Sequence, residues 1–94
     1  MKIGLLRAEF ALHGCRSLKE KRGRLSRLRD KFGKQSGLAV TESAWPDEHR
    51  RAEWSFVAVA GSATVVEQTL AGVEAYVATS VDAEVVSLRR EWLI

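Results

Sequence analysis

Cys15, His13 and His49 are the side chains of this 94-residue sequence with the most reactive chemistry. Cys15 stands two residues before Ser17, where a helix can start, with Arg16 and Lys19 beside it, a setting of the kind that activates thiols. No residue is spaced to serve as its base, so it reads as an incidental thiol. The histidines have no companions either. There is no H-E-x-x-H, no C-x-x-C and no carboxylate cluster that would make a metal site or an acid/base pair, so both read as ordinary loop histidines. No cofactor, no metal and no enzymatic reaction are expected.

Positive charge is the stronger signal. Residues 16–34 hold nine Lys/Arg against Glu20 and Asp30, a net of +7, while the whole chain carries +3, so the remainder is net −4. The protein is a neutral-to-acidic body with one basic segment, and attraction to a polyanion must come from that clustering rather than from the overall charge. Arg24, Arg27, Lys31 and Lys34 recur at spacings of three, four and three, one helical face able to follow successive phosphates. Arg16 and Lys19 flank the start of the same segment, where free N–H groups and the helix dipole favour a phosphate or carboxylate. The glycine-rich cradle of a true phosphate loop is absent. Acids for i,i+4 pairing are mostly missing from the stripe, which favours a binding face over a merely solvated one.

The element that must position these cations is a helix that starts at Ser17 in the stretch Ser17 to Lys34. Ser17 is its N-cap and Glu20, three residues on, completes a capping box. Leu18, Leu25, Leu28 and Phe32 share the face opposite the basic stripe, and Gly33 and Gly37 are two candidate stops. Lys21 falls between Leu28 and Leu25 in angle, so its stem is expected to pack while its ammonium reaches out to the rim of the sheet.

Around the helix lie strands. Lys2 to Leu12 alternates Gly4, Leu6, Ala8, Phe10 and Leu12, expected in the core, with Ile3, Leu5, Arg7, Glu9 and Ala11. His13 to Arg16 is the turn, where Gly14 can take a positive φ. Leu38 to Trp45 is a more polar strand suited to an edge, Trp45 to Glu48 a hairpin loop, and Arg51 to Ala60 an apolar central strand. Ser62 caps a second helix, Ala63 to about Thr79, with Val66, Leu70, Val73 and Val77 as its core stripe. Glu84 to Leu93 is the last strand. Trp54 alternates with core positions; the pattern leaves Trp45 and Trp92 unassigned.

The order βαββαβ, two right-handed halves joined by a hairpin, describes an α+β ferredoxin-like sandwich. It would be a single domain over residues 1–94, with a four-stranded antiparallel sheet in the order 4-1-3-2 and both helices on one face. Ile3, Leu5, Val57 and Val59 would meet on the open face, a patch apolar enough to suggest self-association as a homodimer. One cysteine excludes an intrachain disulfide. No run approaches the roughly 18 apolar residues of a membrane span, and an intracellular, cytoplasmic protein is expected.

The segment Cys15-Arg16-Ser17-Leu18-Lys19-Glu20-Lys21-Arg22, with the Val40-Thr41-Glu42 strand, Arg51-Ala52 and the Val59-Ala60-Gly61 strand end, resembles the YlxP-like family of small bacterial proteins of unknown function. The resemblance covers essentially the whole chain and departs from the family pattern around Trp45 to His49. It implies the ferredoxin-like fold and brings no catalytic residues. It also implies genes that often lie among those for ribosome maturation and translation initiation. RRM-type readout lacks support, since the third strand carries no K/R-G-F/Y-G/A-F-V signature and the open face offers valines. Acylphosphatase-like chemistry lacks its Arg/Asn pair. The partner expected for the basic helix is therefore RNA or a ribosomal particle, and the alternative is an interaction module that associates through its open sheet without nucleic acid.

Overall fold

The computed structural model describes residues 1–94. Six elements follow in the expected order: β1 (Lys2–Ala11), α1 (Leu18–Phe32), β2 (Leu38–Ala44), β3 (Arg51–Ala60), α2 (Ala63–Ser80) and β4 (Glu84–Trp92). The sheet order is β2-β3-β1-β4, the expected 4-1-3-2 read from the other edge, and every neighbouring pair is antiparallel. The ferredoxin-like fold is thus the one observed.

Alternation explains how the sheet joins its helices. Gly4, Leu6, Ala8 and Phe10 of β1 stand in register with Ala58, Phe56, Trp54 and Ala52 of β3, and the side chains among them fill one buried layer. Leu25, Leu28 and Phe32 of α1, and Val66, Leu70, Val73 and Val77 of α2, close that layer from above. Phe32 is its keystone, edge-on to Phe56 at 5.9 Å and to Tyr76 at 5.3 Å, so one ring ties α1 to both β3 and α2. Cys15 is fully buried in the same cluster, with its Sγ 3.4 Å from the Ser17 carbonyl. Trp54 is core, as its alternation predicts.

Gly4 allows the closest approach between the layers. A Cβ there would stand 2.7 Å from Cγ1 of Val66 and 3.2 Å from Cδ1 of Leu70, so the absent side chain lets α2 settle on β1. Gly14 takes φ of 70° in the turn before α1. Ser17 caps α1 by accepting from the Glu20 N–H at 3.0 Å. The reciprocal half of the capping box does not form, because the Glu20 carboxylate turns to Arg24 instead. The i,i+4 ion pair with Arg24 takes the carboxylate that would have closed the box.

The helices do not cover the sheet evenly. α2 lies over β1 and β3 and barely reaches β4, while α1 lies over β2. In consequence Leu88 and Trp92, on the helix side of β4, stay exposed. β4 also carries an irregularity: Glu9 pairs with Ser87 but Phe10 with Val85, so Val86 is an extra residue that shifts the alternation of the strand. β2 carries a matching break at Ser43, between the Glu42–Trp54 and Ala44–Glu53 pairs.

Candidate nucleic-acid interface

The Ser17 cap and the Leu25, Leu28, Phe32 stripe fix the rotation of α1, and that rotation decides which cations meet solvent. Arg16, Lys19, Arg22, Arg27, Arg29, Lys31 and Lys34 are exposed, and none of the seven is paired with a carboxylate. Two lean on rings: the Arg29 guanidinium lies 5.4 Å from the centre of Trp54, and the Lys31 ammonium 5.4 Å from the centre of Tyr76. Arg16, Lys19, Arg22, Arg27 and Lys34 make neither kind of contact. Arg22 and Arg29 lie off the expected stripe, on the side of α1 toward β2; their spacing of seven to each other was the available sign that they share a face.

Arg24 behaves differently from its neighbours in the stripe. Its Nη2 is 2.8 Å from Oε2 of Glu20 and its Nε 3.7 Å from Oδ2 of Asp82, in the turn before β4. Its side chain is largely covered. It joins α1 to the α2–β4 turn and offers little charge to a ligand.

Lys21 departs most from expectation. It does not reach solvent at the rim: its side chain is 3% exposed, with Nζ 2.8 Å from Oε2 of Glu42. The same ammonium donates to two main-chain carbonyls of the β2–β3 loop, Trp45 at 2.8 Å and Glu48 at 2.7 Å. Two carbonyl acceptors and the opposite charge of Glu42 compensate the ammonium, which is what allows it to be buried. Glu42 points to the helix side because it is directly opposite Trp54 in the sheet. The loop so held includes Trp45 at φ of 56°, a left-handed conformation that a bulky residue adopts only under constraint from its surroundings. Arg51 stacks over the Trp45 ring at 3.5 Å. Trp45 is therefore part of a built loop, whereas Trp92 is about half exposed at the end of β4.

Beside Lys21 a groove of about 270 Å³ runs between α1 and β2, bordered by Arg22, Ser26, Arg29 and Glu42, with the buried Trp54 at its floor. The Trp54 indole N–H has no acceptor. No three His, Cys, Asp or Glu side chains come together in a way that could hold a metal ion. His13 lies 2.9 Å from Glu84, both exposed, and Cys15 has no histidine or carboxylate partner. On the open face Leu5 is buried, Ile3 and Val57 are half-buried and only Val59 is well exposed.

Comparison with known proteins gives the chain a family. A family described as "Protein of unknown function (DUF503)" matches residues 3–90. The chain belongs to the DUF503 family. It is also 28% identical over 90 residues to the "Uncharacterized protein YlxP" of Bacillus subtilis (strain 168), a match that spans 96% of this chain and 98% of that protein. The DUF503 membership accounts for the resemblance carried by the segment around Ser17 to Arg22. No helix of this DUF503 protein is long and apolar enough to cross a membrane.

Proposed function

We propose that this DUF503 protein is a small cytoplasmic accessory protein that engages RNA or a ribosome-associated surface through the solvent face of α1. The observation that carries the reading is that seven of the nine cations between Arg16 and Lys34 are exposed and unpaired, while Lys21 and Arg24 are absorbed by the fold. An array of cations without internal partners keeps its attraction for an external anion, since nothing in the protein must be displaced. The exposed side of α2 contributes Glu67, Gln68 and Glu74 and no base, so the charge is confined to one helix. The genomic setting that the family resemblance implies is consistent with a ribosomal partner. No catalysis is assigned to the protein.

The test is binding of mixed-sequence RNA and of ribosomal particles as a function of salt. With four single-strand phosphates engaged, log K falls against log salt with a slope of about −3, at roughly −0.7 per contact. Affinity is weak and nearly independent of sequence. Changing Lys19, Arg27, Lys31 and Lys34 together to Glu abolishes binding with the fold intact, because all four are exposed. Arg24 is left alone, as reversing it would break its contacts with Glu20 and Asp82. Absence of binding near 50 mM salt would overturn the proposal. The alternative reading, an interaction module that uses Ile3, Leu5, Val57 and Val59 on the open sheet face, is favoured by one observation, the exposed Val59 near the end of β3.

A further inference from the structure

β4 is an edge strand whose helix side is bare. Leu88 is 37% and Trp92 48% exposed, with Val86 at 53% and Ile94 at 61% toward either end, so most of the large exposed apolar side chains of the protein lie on or beside this one strand. β2, the other edge, carries none. Edge strands invite pairing with another chain unless charge, bulges or cover prevent it, and β4 has no cover because α2 barely reaches it.

The direction of its free main-chain groups follows from the inner side. Leu93 donates its N–H to the Ile3 carbonyl of β1 at 2.9 Å, and donors alternate along a strand. Trp92, Arg90 and Leu88 therefore turn their N–H and C=O groups outward, along the unpaired edge.

We propose that β4 pairs antiparallel with β4 of a second copy of this chain, about a two-fold axis through Arg90, to form a continuous eight-stranded sheet. In that register Leu88 meets Trp92 of the second copy on the helix side, and Arg89 meets Glu91 of the second copy on the open side, each pairing occurring twice by symmetry. Residues 88, 90 and 92 each meet a partner with outward-facing amides, giving about six main-chain hydrogen bonds. The two Arg90 side chains approach across the axis, but each is already neutralised by two hydrogen bonds to Glu74 of its own α2. Charge selects the register. Moving the axis one residue toward the N-terminus sets Arg89 against Arg89, and one residue the other way sets Glu91 against Glu91.

Arg89 and Glu91 are both mainly exposed, and their contacts within the protein are long, 4.0 Å to Glu53 and 3.8 Å to Arg7, so both are free to turn to a second chain. The β4 edge is a better site for self-association than the open face, where Leu5 is already buried within one chain. This pairing leaves α1 uncovered and is independent of RNA binding.

Analytical ultracentrifugation of the full chain at up to a few hundred micromolar tests the proposal. Wild-type protein is a dimer in this range. Glu91→Arg sets two Arg–Arg contacts across the axis and raises the dissociation constant roughly fivefold to thirtyfold, and the exchange Arg89→Glu with Glu91→Arg restores it. Val59→Lys has no effect. In a Cys15→Ala background, Arg89→Cys mixed with Glu91→Cys forms a disulfide-linked heterodimer under mild oxidation, because the opposed Cα atoms of such a pair lie about 4.5 Å apart. Either variant alone crosslinks slowly, its sulfurs being separated along the strands. A wild-type monomer throughout the range overturns the proposal. So does a dimer that Val59→Lys dissolves and Glu91→Arg does not, or preferential crosslinking of a single variant with itself.

Discussion

Lys21→Met tests the account of α1 most directly. Methionine keeps the apolar stem that packs beside Leu25 and Leu28 but removes an ammonium that donates to the carbonyls of Trp45 and Glu48 and pairs in charge with the Glu42 carboxylate. Sequence periodicity alone suggests that this change is neutral or slightly stabilising, since it replaces a charge near the core by a hydrophobe. The geometry reverses that expectation. Breaking a buried ion pair from one side typically costs 3–5 kcal/mol, and because Glu42 retains some access to water the lower end applies, about 3 kcal/mol. At roughly 4–8 °C per kcal/mol for a domain of this size, the melting temperature falls by about 15 °C. A domain of this length has on the order of 5–14 kcal/mol of stability, so the variant remains folded at 25 °C and can be compared with wild type by urea denaturation and circular dichroism. Lys21→Met with Glu42→Leu recovers about half of the loss, because the stranded carboxylate is gone while the loop carbonyls remain bare. If the single variant melts at or above the wild-type temperature, Lys21 only packs, and the reasoning from its hydrogen bonds is wrong.

Other outcomes follow from the same geometry. Gly4→Ala forces a methyl group against Val66 and Leu70 and destabilises by about 1–3 kcal/mol, read as a lowered urea midpoint at unchanged slope. Cys15 is fully buried, so a thiol reagent reacts slowly with native protein and fast in urea; fast labelling without denaturant would show that the thiol is reachable. Arg90 is held above its ordinary pKa, first by its hydrogen bond to Glu74, with burial opposing and the charges of Glu74 and Glu67 adding. A raised value stabilises the fold at every pH below the ordinary arginine range and the benefit is lost only above it, so Glu74→Gln shifts stability without creating a pH dependence near neutrality.

Helix and strand positions were legible because each buried set keeps one period: Val66, Leu70, Val73 and Val77 on α2, and Gly4, Leu6, Ala8 and Phe10 on β1. Right-handed crossovers then left little choice of sheet order. The contacts of the cations were not legible in the same way. Lys21 is held by two main-chain carbonyls 24 and 27 positions away, and no side-chain pattern announces a carbonyl. Arg24 finds Asp82, which lies beyond β2, β3 and α2 in the chain, and Glu20 then prefers Arg24 to its capping role. The bareness of Leu88 and Trp92 escaped for another reason: alternation tells which side of a sheet a residue faces, not whether a helix extends far enough to cover it.

The place of β1 in the sheet has a consequence for the order in which the protein can fold. The first strand made is central, flanked by β3 and by β4, and Gly4 is opposite Trp92. Its apolar face can be closed only when nearly the whole chain exists, which on a ribosome adding about 5–20 residues per second leaves it waiting for on the order of ten seconds. Pairings of such long sequence separation also slow folding once the chain is released. During that interval β1 presents Leu6, Ala8 and Phe10 without a partner strand, and the nascent chain depends on whatever shields them until its own β3 arrives.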